Sequence, residues 1–145
     1  MPAYPGFVHA SGPFELNRGS TSASAAIAVA DALEQDTGAL SSAAAGEKIV
    51  GIATASKASG DATTDPRQYI QVYTGRTNFY GPRGGGTLTL PDDEHIIFDL
   101  TDADSVAYDT ANVAGNFYVR NVIESGSTAS SHARGSIANA AYQAL

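Results

Sequence analysis

Lys48-Ile49-Val50-Gly51-Ile52-Ala53-Thr54-Ala55 and, beyond a polar loop, Tyr69-Ile70-Gln71-Val72-Tyr73-Thr74 are the two runs that set the fold class. In the first, Val50 and Ile52 share one face of a strand, while Ile49, Gly51 and Ala53 present a flatter surface opposite. Gly51 marks a place where another backbone comes close. The second run alternates Ile70 and Val72 against Tyr69, Gln71 and Tyr73, the pattern of a half-buried strand. The run Ser56 to Pro66 between them has the composition of an exposed loop.

Downstream, Gly75-Arg76-Thr77-Asn78 reads as a turn into Phe79-Tyr80, followed by a mobile or partner-ordered loop, Gly81-Pro82-Arg83-Gly84-Gly85-Gly86. Leu88 and Leu90 mark a further strand, and Pro91-Asp92-Asp93 a turn. His95 to Leu100 is a strand with Ile96, Phe98 and Leu100 on its core face, and more strands are expected at Val106 to Tyr108 and Phe117 to Ile123. Ser125 to Ser136 reads as loop, and Ile137 to Leu145 as a docked strand or short helix. Upstream, Ile27, Val29 and Leu33 lead into Asp36-Thr37-Gly38, two short strands around a turn, although the alanines through Ala30 also suit a helix. Residues 1–25, rich in Pro, Gly, Ser and Thr, are expected to be an extended arm, and 26–145 a single β-rich domain.

The chain has 145 residues, enough for one core. Its apolar content is dominated by 26 alanines, whereas Leu, Ile, Val and Phe together number 28, under a fifth of the chain. So thin a core implies that part of the chain gains order against neighbouring subunits. The net charge of −7 lacks the positive field that draws proteins to phosphate backbones, so nucleic acid is not expected as a partner. Without cysteine, neither disulfides nor thiolate metal sites operate. No run of 18 apolar residues occurs, and the start Met1-Pro2-Ala3-Tyr4-Pro5-Gly6 lacks the basic and apolar regions of a secretory signal, so no membrane association is expected.

Motifs for catalysis are missing. Gly81 to Gly86 lacks the Gly-Lys-Ser/Thr ending of a phosphate loop, and no strand–helix alternation frames a dinucleotide site. The carboxylates Asp92, Asp93, Glu94, Asp99, Asp102, Asp104 and Asp109 are hard oxygen ligands in principle, but they lack a complete cation-loop pattern and read first as solvated turns. His9, His95 and His132 show no metal-ligand spacing, and no Gly-x-Ser-x-Gly elbow is present. No cofactor and no enzymatic activity are therefore expected.

Tyr69, Tyr73, Phe79 and Tyr80 fall in one region with Arg67, Arg76 and Arg83, and Tyr and Arg are enriched at protein interfaces. The same aromatics also suit a sugar-stacking platform.

The order of features, a polar arm, Asp36-Thr37-Gly38-Ala39-Leu40, an alanine-rich segment, Lys48 to Ala53, a Ser/Asp/Thr-rich loop, and Tyr69 to Thr74 leading to Gly75–Tyr80, resembles the head decoration proteins of tailed phages, of the lambda head protein D type. The likeness spans Asp36 to Tyr80. It implies an all-β chain forming a small β-barrel or β-tulip-like domain with an extended N-terminal arm. It further implies a homotrimer on the capsid exterior of a virion, bound to the major capsid protein and bridging coat subunits. The expected partner contacts are Tyr4, Phe7, Val8, Phe14 and Leu16 on the arm and Tyr73, Arg76, Phe79, Tyr80 and Arg83 beyond it. On this reading, deleting residues 1 to 18 abolishes attachment and leaves a folded domain. The alternatives are another β-rich virion or extracellular module binding a carbohydrate or receptor, and a small hydrolase using the acidic group.

Overall fold

The computed structural model describes residues 4–138 apart from 24, 37, 45, 46, 73–75, 91 and 112–114. Among these the regular structure is all β. Eleven strands form two sheets: β1 (Val8–Ser11), β2 (Glu15–Gly19), β3 (Ala32–Asp36), β4 (Ala39–Ser42), β5 (Gly51–Ala53), β6 (Arg67–Gln71), β7 (Asn78–Gly85), β8 (Ile97–Asp102), β9 (Ser105–Ala111), β10 (Phe117–Glu124) and β11 (His132–Ile137).

The first sheet runs β1-β7-β11-β10-β8-β9 and closes on itself, because the second half of β7 pairs in parallel with β9. The result is a five-stranded barrel of β7, β11, β10, β8 and β9, with β1 added along the first half of β7. Closure removes the open edges that a flat sheet would leave. The second sheet, β2-β6-β5-β3-β4, is drawn round by hydrogen bonds from Leu40 N to Ser20 O (2.8 Å) and from Ser22 N to Leu40 O (3.0 Å).

A thin supply of large side chains is enough because one contiguous core serves both sheets. Phe79, Phe98, Leu100, Val106, Tyr108, Phe117, Val119 and Ile137 from the barrel join Ile49, Ile52 and Val72 from the region of β5 and β6. A second cluster holds Ile27, Leu33, Leu40, Val50, Ala53 and Tyr69. The Ile49–Ala53 run is thus buried on both faces: Ile49 and Ile52 serve the large core, Val50 and Ala53 the small one. The expected pairing of Val50 with Ile52 on one face does not hold. Gly51 lies between them, and a Cβ there would stand 2.3 Å from Ile70 O, the close approach that the glycine signalled.

The hairpin at Asp36–Gly38 forms as β3 and β4, with Gly38 at φ 85°. Four expectations require correction. Gly81 to Gly86 is not a free loop: β7 continues to Gly85 because its glycines admit neighbouring side chains. A Cβ on Gly81 would meet the Phe117 ring at 2.8 Å, and one on Gly84 would meet Thr101 and Ser105 at 2.5 Å. Leu88 makes only an isolated bridge to Gly126, and Leu90 is exposed in a turn. The Ser/Gly-rich stretch contains β11, which lies between β7 and β10. Finally, no boundary falls at residue 25: β1 and β2 belong one to each sheet, and Phe7 is in the large core. The continuation 139–145 lies outside the described residues.

Candidate interaction surface

Strand alternation sorts the expected contact residues. Phe7 (2% exposed) and Phe79 (0%) point inward and are core residues, so they are withdrawn as partner contacts. Burial of both is what the barrel gains from the only large side chains near β1 and the start of β7. Tyr73 lies outside the described residues.

The remaining residues form two separated groups. In the first, Tyr80 of β7 is directly opposite Val8 of β1, and its ring stacks on that of Tyr4 at 5.5 Å. Both tyrosines are half-buried, and the stack holds the N-terminal segment against the outer face of the barrel. In the second, Phe14 (44% exposed) and Leu16 (55%) lie at the start of β2, the outermost strand of its sheet. Phe14 rests against the His9 ring at 4.6 Å, while β2 has a strand neighbour on one side only, β6. Arg76 is exposed in the turn before β7, and Arg83 is held to the barrel by a hydrogen bond from its Nε to Gly86 O.

Next to the first group lies a polar network that sequence reasoning missed. Arg134 Nη2 donates to Ser11 Oγ (2.7 Å) and Arg134 Nη1 to Asn121 Oδ1 (3.1 Å). Arg120 Nε donates to Asn78 Oδ1 (2.9 Å), and its guanidinium lies 5.3 Å from the Tyr118 ring centre, a cation–π contact. A signal existed: with Phe117 and Val119 inward, alternation places Tyr118 and Arg120 outward on one face.

The acidic residues do not converge. Among the described residues, no group of three or more His, Cys, Asp or Glu is arranged to hold a metal. Several carboxylates instead bind backbone N–H groups in their own neighbourhood: Asp93 accepts from Thr89, Glu94 from Val122 and Asp99 from Gly115. One open pocket of about 500 Å³ is lined by Asp31, Asp102, Asp104 and Lys57 with small apolar neighbours. Burial pushes the Asp31 carboxyl up, and the Asp104 and Asp102 charges add to this, against hydrogen bonds from Ala28 N and Ser42. Lys57 Nζ donates to the carbonyls of Ala23, Ala25 and Asp61, so the cation stabilises the loop beneath the pocket.

No family model, curated protein or solved structure matches the chain.

The histidines each take a local partner: His9 Nε2 pairs with Gly12 O, His95 Nδ1 with Tyr118 Oη, and His132 Nδ1 with Ser130 O. None of these contacts sets an imidazole against a serine hydroxyl. What the surface offers is an apolar strand edge and an aromatic–guanidinium face, which are binding features.

Proposed function

We propose that this protein is a structural subunit that binds the outer surface of a viral capsid and stabilises it by bridging coat subunits. The observation that carries the reading is the exposed pair Phe14 and Leu16 at β2, an outermost strand. A strand edge flanked by bare apolar side chains suits pairing with an extended segment of another protein: main-chain hydrogen bonds supply affinity, and the side chains supply register. Likeness of Asp36–Tyr80 to tailed-phage head decoration proteins and the small barrel favour the same conclusion. Assembly as a trimer would let one particle contact several coat subunits, so that weak contacts add through multivalency. The activity is clamping, with no chemical step and no cofactor.

The test is co-sedimentation of purified protein with empty shells of the major capsid protein. Phe14→Ser and Leu16→Glu together should reduce shell-bound protein at least about tenfold, the loss of one buried apolar contact or more. The thermal midpoint of the free protein should stay unchanged, because both side chains are already in solvent. Unimpaired binding by the double variant would overturn the proposed contact.

A further inference from the structure

Two buried side-chain atoms on neighbouring strands have no hydrogen-bond partner: Oε2 of Glu124 on β10 and Nε2 of His132 on β11. Their residues are directly opposite in the β10–β11 register, where Cβ atoms stand about 4.5–5.5 Å apart. His132 is 1% exposed, and its Nδ1 lies 2.9 Å from Ser130 O. A carbonyl only accepts, so Nδ1 carries the proton, and in a neutral ring Nε2 is then a bare lone pair. An ionised carboxylate likewise offers only acceptors. Glu124 and His132 therefore meet as acceptor against acceptor, and the pair lacks one hydrogen.

We propose that Glu124 and His132 form a proton-operated latch. One proton taken from solvent at Nε2 turns the imidazole into a donor, a side-chain rotation brings Glu124 Oε2 to it, and both buried atoms become satisfied. No other bond forms or breaks. The latch reaches the N-terminal segment because the Tyr4 ring sits edge-on to His132 at 4.8 Å and stacks on Tyr80, whose own ring is 5.8 Å from His132. An imidazolium beside two tyrosine rings also gains from their quadrupoles. Latching therefore pins residues 4–7 to the barrel.

The titratable and charged groups around His132 are few. Glu124 faces it from β10, with Glu94 alongside, bound to Val122 N. Arg134 is two residues along β11 and engaged with Asn121 and Ser11. Pro82 faces it from β7, and Tyr80 and Tyr4 cover the ring. A proton bound more tightly by the folded chain than by the unfolded one adds stability at mildly acidic pH, and this is lost as pH rises through the range where imidazoles discharge. The inference is independent of the capsid reading.

Thermal melts of the full chain from pH 5.5 to 8, for the parent and Glu124→Gln, test it. The glutamine amide supplies the missing hydrogen permanently, so the variant should be level in pH. The parent midpoint should rise by about 3 °C relative to the variant on going from pH 8 to 5.5. Parallel profiles would overturn the latch. Imidazole nitrogen NMR on the parent gives a second readout that needs no variant: Nε2 of His132 should gain its proton in step with the midpoint. An Nε2 that stays unprotonated throughout would overturn the proposal equally.

Discussion

A methyl group placed on Gly135 would stand 2.1 Å from the carbonyl oxygen of Tyr118 and 3.0 Å from the Phe117 ring. Gly81, on the neighbouring strand, meets the same ring from the other side. The barrel interior is therefore built from absent side chains as much as from present ones: one phenylalanine fills the space above two glycines. Gly135→Ala should cost at least about 2 kcal/mol, since the clash is with backbone and cannot be relieved by a rotamer change; equilibrium denaturation measures it. Asp31 is the second telling residue. Its folded-state pKa lies above the ordinary value of 3.8, so its contribution to stability is full below that value and is lost as pH rises through the folded pKa. At neutral pH the charged carboxyl is a cost. Asp31→Asn keeps an acceptor for Ala28 N, so its melting temperature at pH 7 should equal or exceed the parent's, with the advantage gone at pH 3.5.

At the scale of elements, legibility followed side-chain size. β6, β8 and β10 could be read because Ile70 with Val72, Phe98 with Leu100, and Phe117 with Val119 alternate strongly with polar residues. The second half of β7 and all of β11 could not, because Gly81, Gly84, Gly85, Ala133, Gly135 and Ser136 read as loop when taken alone. Only their shared register, Ala133 opposite Gly81 and Gly135 opposite Phe79, makes them a wall of the barrel, and a pairing between distant segments leaves no local pattern. The N-terminal segment failed for the opposite reason. Its composition is that of an arm, and the segment does run extended, yet Phe7 contributes a ring to the core and β1 covers β7. Deleting residues 1–11 should therefore lower stability by about 3–5 kcal/mol, the usual cost of losing a buried aromatic side chain, in urea titrations. The same loss makes truncation a poor probe of binding: failure to attach would follow from unfolding as readily as from a missing contact. For the contact residues, exposure near β2 was legible in Phe14 and Leu16, whereas the Arg134–Ser11–Asn78–Arg120 network needed three strands to be aligned first.

For the whole molecule, the two sheets and their two cores share the Ile49–Ala53 run, so a chain with few large apolar residues uses nearly all of them inside. Of the five phenylalanines, only Phe14 stands substantially in solvent. Such economy makes the exposed pair at β2 more telling, since apolar surface left out of so sparing a core is free for association. The claim that this association is with a viral shell is tested most directly by pulling down the tagged full-length protein from infected and uninfected lysates of its source and identifying the bound proteins by mass spectrometry. The account predicts recovery of the major capsid protein, as assembled shells, from infected lysate alone, and loss of that recovery for the Phe14→Ser, Leu16→Glu variant. Recovery of a glycan-bearing partner without coat protein, or of nothing from a lysate rich in shells, would contradict it.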